Sequence, residues 1–178
     1  MKLLSRLFIV AGILLYAFAV YQIALRENPK RLAFDNYIYG QNHNVTDKNL
    51  PTEITIKDLD IDLPVYPSVV TNNQWQTTNA GASYLTSSPL PGTKGNSIVY
   101  AHNWRSLFGN LVNAHVGEQV IVTYPNNTKK TFVIAYTSVV DPNQSTILAP
   151  SNDKRITLYT CTGILDSKRF VAVAILKS

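Results

Sequence analysis

The pattern of hydrophobic and polar positions changes twice along the chain. An almost unbroken apolar run, Leu7–Leu25, is followed by a polar stretch without a sustained period, and short alternating runs begin near Leu50. These changes predict three regions. Residues 1–31 form an N-terminal tip, an apolar helix and its flank; residues 32–50 form a linker or stalk; and residues 51–178 form the folded domain.

The apolar run is long enough to cross a bilayer. Only Gln22 interrupts Leu7–Leu25, and a helix of this length rises about 28 Å, close to the thickness of the hydrocarbon core. Ala17-Phe18-Ala19 offers an A-x-A cleavage pattern, but the run continues beyond it. We therefore predict an uncleaved single-pass signal anchor, with a cleaved signal peptide as the alternative. Basic residues flank both ends of the run, so charge alone does not orient it.

The domain is predicted to be built from short strands. Runs rich in Val, Ile, Thr and Tyr with partial alternation are typical of β-structure. They are Glu53–Ile56, Asp60–Val65, Ser97–His102, Gln119–Tyr124, Thr131–Ser138, Arg155–Thr160 and Phe170–Leu176. Only Leu107–Ala114 is predicted to be helical, for one to two turns. We predict an all-β fold, a closed barrel of seven to eight strands with a short helix, preceded by one transmembrane helix; a sandwich is the alternative.

Composition and charge narrow the class of protein. With 46% hydrophobic and 15% charged residues, the 178-residue chain can bury a core. The net charge of +5 is concentrated at the N-terminus: up to Arg31 there are five basic residues and one acidic residue, and afterwards eleven basic and ten acidic. The nearly neutral domain has no electrostatic footprint for nucleic acid, so we predict no nucleic-acid partner.

Cys161 is the only cysteine in the chain, so it is either a buried hydrophobe or a reagent. A nucleophilic thiol needs a partner that favours its thiolate, usually a histidine. His43 lies in the predicted linker and His115 in a surface turn. In contrast, His102 ends one predicted strand, and Cys161 lies at the end of another, directly after Thr160. Side chains at the ends of strands suit a site at a barrel rim.

Metal and cofactor chemistry is not supported by the sequence. One cysteine and three scattered histidines have no metal-ligand spacing. A Gly-rich phosphate loop is also missing from the sequence. We therefore predict neither a metal nor a cofactor. Papain-like hydrolases place their cysteine before their histidine, which is the reverse of the order here.

"TLYTC" ends in the cysteine, and Arg169 follows it by eight residues. These two features match the T-L-x-T-C signature and the catalytic arginine of the sortases, membrane-anchored cysteine transpeptidases of bacterial surfaces, which the chain resembles. "GNSIVYAHNWRSLFGNL" resembles the histidine segment, and "VGEQVIVTY" resembles the strand that follows it. The resemblance runs from about Ile54 to Leu176. Ala101 and Asn103, on either side of the histidine, depart from the glycine and arginine of many sortases, so subclass and substrate preference stay open.

The resemblance implies a role for each matching residue. Cys161 would be the nucleophile, His102 the general acid for the leaving amine, and Arg169 the cation at the substrate carbonyl or oxyanion. Thr160 would contribute a hydroxyl or shape to the substrate pocket. Arg105 and Arg155 are the rival cations, although Arg155 begins the strand that leads to the cysteine.

The implied activity is that of a cysteine transpeptidase, a thiol protease that passes its acyl group to an amine. Its partners would be surface proteins with a C-terminal sorting motif resembling L-P-x-T-G, and an amine acceptor such as a peptidoglycan precursor or a pilin lysine. The domain would face outward from the cell membrane, anchored by Leu7–Leu25. The alternative is a non-catalytic, membrane-tethered binding domain on the same barrel.

Overall fold

The computed structural model describes residues 2–26, 32–35, 49–71 and 74–177. The N-terminal run forms one helix, α1 (Lys2–Arg26), as its length and its lack of proline predict. Between Arg6 and Ala24 this helix is long and apolar enough to cross a membrane, and none of the side chains in that range is buried. Most of the predicted linker, including His43, lies outside the described residues.

Ten strands follow in the described part of the chain, and eight of them close into a barrel. The strands are β1 (Glu53–Ile56), β2 (Ile61–Ser68), β3 (Val70–Thr71), β4 (Gln74–Trp75), β5 (Ala82–Leu85), β6 (Gly95–Tyr100), β7 (Gln119–Thr123), β8 (Lys129–Val140), β9 (Lys154–Thr162) and β10 (Lys168–Leu176). The barrel order is β1-β2-β5-β6-β9-β10-β8-β7, and pairing of β7 with β1 closes it. β3 and β4 form a separate two-stranded sheet. The predicted closed barrel is confirmed.

Several boundaries differ from the prediction. β6 ends at Tyr100 rather than His102, because the chain turns into a loop there. The predicted helix over Leu107–Ala114 is a shorter 3-10 helix, Gly109–Asn113, since so short a segment closes few α-type hydrogen bonds. Strand β5 was missed because its residues are all buried and lack the alternation of a half-buried strand.

The sheet of β6, β9 and β10 is apolar on both faces. Side chains alternate across a strand, so Leu158 and Ala172 fill the barrel while Tyr159 and Val171 point outward. The outward residues form a second apolar cluster, which we call the outer cluster. Its buried members are Leu32, Phe34, Trp75, Leu85, Ile98, Tyr100, Val140, Leu148, Tyr159, Cys161, Val171 and Val173. This face is therefore covered by protein, in part by the segment 32–35.

Candidate active site

Cys161 lies near the end of β9, between the two neighbouring strands of the sheet. On one side β9 pairs antiparallel with β10, and the register places Arg169 directly opposite Cys161. Residues paired in this way lie on the same face of the sheet, with Cβ atoms about 5 Å apart. The side chains of Cys161 and Arg169 therefore leave the backbone side by side on the outer face of the barrel.

His102 approaches Cys161 from the other side. β6 and β9 are parallel, and their last registered pair is Tyr100 with Tyr159. The chain beyond Tyr100 stays beside β9, because the Ala101 amide donates to the Tyr159 carbonyl at 3.4 Å and the Thr160 hydroxyl donates to the Ala101 carbonyl at 2.9 Å. Continuing the register by two residues places His102 next to Cys161. Thr160 itself is fully buried.

The loop after His102 has a fixed shape. The imidazole stacks on the indole of Trp104, with ring centroids 4.8 Å apart and planes inclined by 14°. The Phe108 amide donates to the His102 carbonyl at 3.1 Å. The loop then packs closely on Gly109, where a Cβ atom would lie 2.7 Å from the Trp104 backbone. A glycine is thus needed for the turn that carries the histidine.

Arg169 is held by backbone carbonyls. Its Nη1 donates to the carbonyls of Asp166 and Lys168, both at 3.0 Å, and its Nη2 donates to the Ala33 carbonyl at 2.9 Å. Its Nε is buried and has no hydrogen-bond partner within the described part of the chain. The Nε–H of a permanently charged group is therefore left for a further acceptor.

The three side chains are buried in this structure. Cys161, His102 and Arg169 are 2%, 4% and 3% exposed, respectively. Part of the cover is the segment 32–35, because Phe34 packs edge-on against Tyr159 at 5.0 Å and the Tyr159 hydroxyl donates to the Leu32 carbonyl at 3.0 Å. A reagent from solution therefore reaches the thiol only after some of this cover moves.

The other candidate residues lie elsewhere. His115 is exposed and 3.5 Å from the Glu118 carboxylate. Arg105 is exposed in the loop after His102. Arg155, at the start of β9, forms an ion pair with Asp153. The hydrogen bond from the Arg155 guanidinium is the main cause that lowers the pKa of the Asp153 carboxyl. Since Arg155 is six residues from Cys161 on an extended strand, their Cα atoms are roughly 20 Å apart.

The sequence does not predict the contacts that Ala33, Asn103 and Asp166 make in the site. Ala33 and Asp166 contact Arg169 through backbone carbonyls, for which a sequence gives no side-chain signal. Asn103 donates from Nδ2 to Asp166 Oδ1 at 2.9 Å. That pair is 63 residues apart in sequence, so only the fold brings it together. No cluster of three or more His, Cys, Asp or Glu side chains that could hold a metal occurs among the residues that the structure describes.

Comparison with known proteins connects this geometry to a family. A sequence model described as the sortase domain matches residues 54–177. Sortase A of Listeria monocytogenes serovar 1/2a is 30% identical over 124 residues, which are 67% of this chain and 53% of that protein. The chain therefore spans about half the length of that relative.

Solved structures have the same fold. The crystal structure of Listeria monocytogenes sortase A has a TM-score of 0.59 at 27% identity, covering 74% of this chain and 89% of that one. A lid mutant of sortase A from Corynebacterium diphtheriae has a TM-score of 0.63 at 28% identity, covering 71% and 69%. Streptococcus agalactiae sortase C1, at 20% identity, shares the fold with a TM-score of 0.65, covering 92% and 88%. The family match extends over most of the barrel domain, and the chain belongs to the sortase family.

Proposed function

We propose that this chain is a sortase-type cysteine transpeptidase with Cys161 as its nucleophile. The observation that carries the proposal is the position of Cys161 in the sheet. Arg169 is its register partner on one side, and His102 follows the neighbouring strand on the other. A thiol, an imidazole and a guanidinium at one rim are the groups that acyl transfer from an amide requires.

The reaction proceeds in two transfers. The Cys161 thiolate attacks the carbonyl carbon of the scissile amide, and the tetrahedral intermediate collapses when the C–N bond breaks. The His102 imidazolium gives its proton to the departing amine, which leaves a thioester on Cys161 and a neutral imidazole. An incoming amine then attacks the thioester and loses its proton to His102, and the thiolate is released. Water in place of the amine gives hydrolysis.

Arg169 stabilises the negative oxygen of each tetrahedral intermediate. Its charge is permanent and its free Nε–H is available to an oxygen in a buried site, where a fixed donor is worth more than in water. Thr160 shapes the substrate pocket indirectly, because its hydroxyl holds the Ala101 carbonyl and so the segment that leads to His102.

The substrate class follows from the family. We propose that the acyl donor is a surface protein with a sorting motif resembling L-P-x-T-G. The acceptor is an amine such as a peptidoglycan precursor or a pilin lysine. Helix α1 anchors the enzyme as a single-pass membrane protein, with the barrel outside the cytoplasm where such substrates lie.

The direct test is mass spectrometry of the full chain in detergent micelles, incubated with a pool of peptides of the form Leu-Pro-x-Thr-Gly. We expect an acyl adduct on Cys161, and no adduct with Cys161→Ala, since no other thiol exists. His102→Ala should lower kcat/KM by roughly 10²- to 10⁴-fold. His115→Ala is the matched control and should change little. Peptide binding without any adduct would instead support the tethered binding domain.

A further inference from the structure

The two loops that carry the candidate site residues are joined by one side-chain pair. Asn103 directly follows His102, and Asp166 lies in the hairpin between Cys161 and Arg169. The Asn103 Nδ2 donates to Asp166 Oδ1 at 2.9 Å. A hydrogen bond from an amide to a carboxylate is charge-assisted and stronger than a neutral one.

Asp166 also contacts the guanidinium. Its carbonyl accepts from Arg169 Nη1 at 3.0 Å, while its carboxylate accepts from Asn103. One residue thus bonds the histidine segment through its side chain and the arginine through its backbone. A change at either bond is transmitted to the other, because both depend on the position of Asp166.

The backbone at Asp166 is unfavourable without outside support. Leu165 and Asp166 are both in the left-handed region, with φ of 53° and 60°. This conformation is unfavourable for residues other than glycine, and more so for Leu165 than for Asp166, because Asp is tolerated there better than most residues. The bonds inside the turn are long, at 3.3 Å from the Asp166 amide and 3.2 Å from the Ser167 amide. Contacts from outside the turn, Asn103 among them, are therefore needed to hold it.

We propose that Asn103 and Asp166 are positioning residues that fix His102 relative to Arg169 and Cys161. The proposal rests on the proposed function, and it gives a use to Asn103, which departs from the arginine of many sortases. The bonds that carry the proposal join the two loops and the Arg169 guanidinium. A misplacement of about 1 Å in such a site can lower activity by as much as 10²-fold.

Two assays test the pair in the full chain in detergent micelles. The first is kcat/KM for the Leu-Pro-x-Thr-Gly peptide pool. The second is the rate of Cys161 alkylation by iodoacetamide across pH, which needs no peptide substrate. The midpoint of that profile follows the charges near the thiol, and the plateau follows its accessibility. Among the described residues, the charged or titratable groups that the register places near it are Arg169, its strand partner, and His102, which follows the neighbouring strand. Asp166 lies in the hairpin that leads to Arg169, and the Lys168–Asp141 ion pair lies one register position further along.

Asn103→Ala and Asp166→Ala should each lower kcat/KM about tenfold, and the double variant should lower it no further, because both changes remove one bond. Asn103→Ala should also raise the alkylation midpoint, because a displaced His102 and Arg169 stabilise the thiolate less. In Asp166→Ala the midpoint should rise less, because the change also removes a negative charge. Asn103→Asp should be worse than Asn103→Ala, since two carboxylates then face each other. The reversed pair, Asn103→Asp with Asp166→Asn, re-forms an amide–carboxylate bond and should recover most of the activity and the midpoint.

The controls are Asn113→Ala, at an exposed position in the 3-10 helix Gly109–Asn113, and Asp58→Asn, at an exposed position in the 3-10 helix Lys57–Leu59. They should leave both readouts unchanged. Additive losses from the two single changes, or no recovery in a reversed pair with wild-type thermal stability, would overturn the proposal. If the wild-type chain cleaves no peptide, the proposed function fails, but the alkylation profiles still decide whether the pair positions the site.

Discussion

The Arg169 guanidinium is bonded to three backbone carbonyls and keeps its Nε–H for a further acceptor. We expect Arg169→Ala to lower kcat/KM by roughly 10²- to 10³-fold, the scale of losing one oxyanion donor. Arg169→Lys should recover little, because an ammonium lacks the planar array of donors. Steady-state kinetics with the peptide pool measures both.

The matched control for these changes is Arg105→Ala, which removes an exposed arginine from the loop after His102. It should leave kcat/KM within about twofold of wild type, as is usual for exposed positions. If Arg105→Ala were the damaging change and Arg169→Ala were harmless, the oxyanion role would pass to Arg105.

Tyr124 shows how burial links a single residue to pH. Its hydroxyl donates to the Pro91 carbonyl at 2.5 Å, and burial raises its pKa to about 12. Between pH 10, where an unfolded tyrosine ionises, and about 12, the unfolded state loses a proton that the folded state retains. The stability of the wild type should therefore fall by about 1–2 kcal/mol as pH rises through this window.

Tyr124→Phe isolates that contribution. At pH 8 the variant should be less stable by about 1 kcal/mol, because it lacks the hydrogen bond to Pro91. The difference from wild type should shrink between pH 10 and 12, since phenylalanine does not ionise. Urea unfolding at pH 8, 10 and 11.5 measures it, and a difference that stays constant with pH would contradict the assignment.

At the scale of elements, the strands were predictable where their burial alternates. In β9, Leu158 points into the barrel and Tyr159 and Cys161 point outward, and the motif on this strand also identified the thiol. The pairing of β9 with both β6 and β10 was not predictable, because strand order depends on the whole fold. For the same reason the sequence identified three separate motifs but not the Asn103–Asp166 bond between their loops.

The segment 32–35 covers part of the site, and a single substitution tests whether it limits access to the thiol. Phe34 is buried against Tyr159, and the Asp35 amide donates to the Pro142 carbonyl at 2.8 Å. Phe34→Ala should loosen the segment and release the Ala33 carbonyl from Arg169. We expect the plateau rate of Cys161 alkylation to rise about 10- to 100-fold, since Phe→Ala changes in cores cost about 3–5 kcal/mol and a surface segment loses less.

Hydrogen exchange supplies a second readout for this change. The Asp35 amide should exchange faster in Phe34→Ala while the strand amides of β9 keep their protection, because the barrel interior is a separate cluster. Val116→Ala, an exposed apolar position, is the control. An unchanged alkylation plateau in Phe34→Ala would show that the segment does not limit access to the thiol.

At the scale of the whole molecule, two parts of different character are joined in one chain. The barrel is nearly neutral and has its own core, whereas α1 is apolar with exposed side chains and carries basic residues at both ends. Composition predicted this division. Orientation was not predictable, because the positive-inside rule needs an asymmetry that the flanking charges do not give.

The last prediction concerns that orientation. We expect α1 to remain in the mature protein and the barrel to face outward, because the apolar helix continues past Ala19 and the proposed substrates lie outside. Protease treatment of intact cells should remove the barrel and leave a small membrane fragment, with a cytoplasmic protein as the control for lysis. A mature N-terminus at Val20 would show cleavage after Ala17-Phe18-Ala19 and contradict the anchor. A barrel protected until lysis would place it in the cytoplasm, away from any surface-protein substrate.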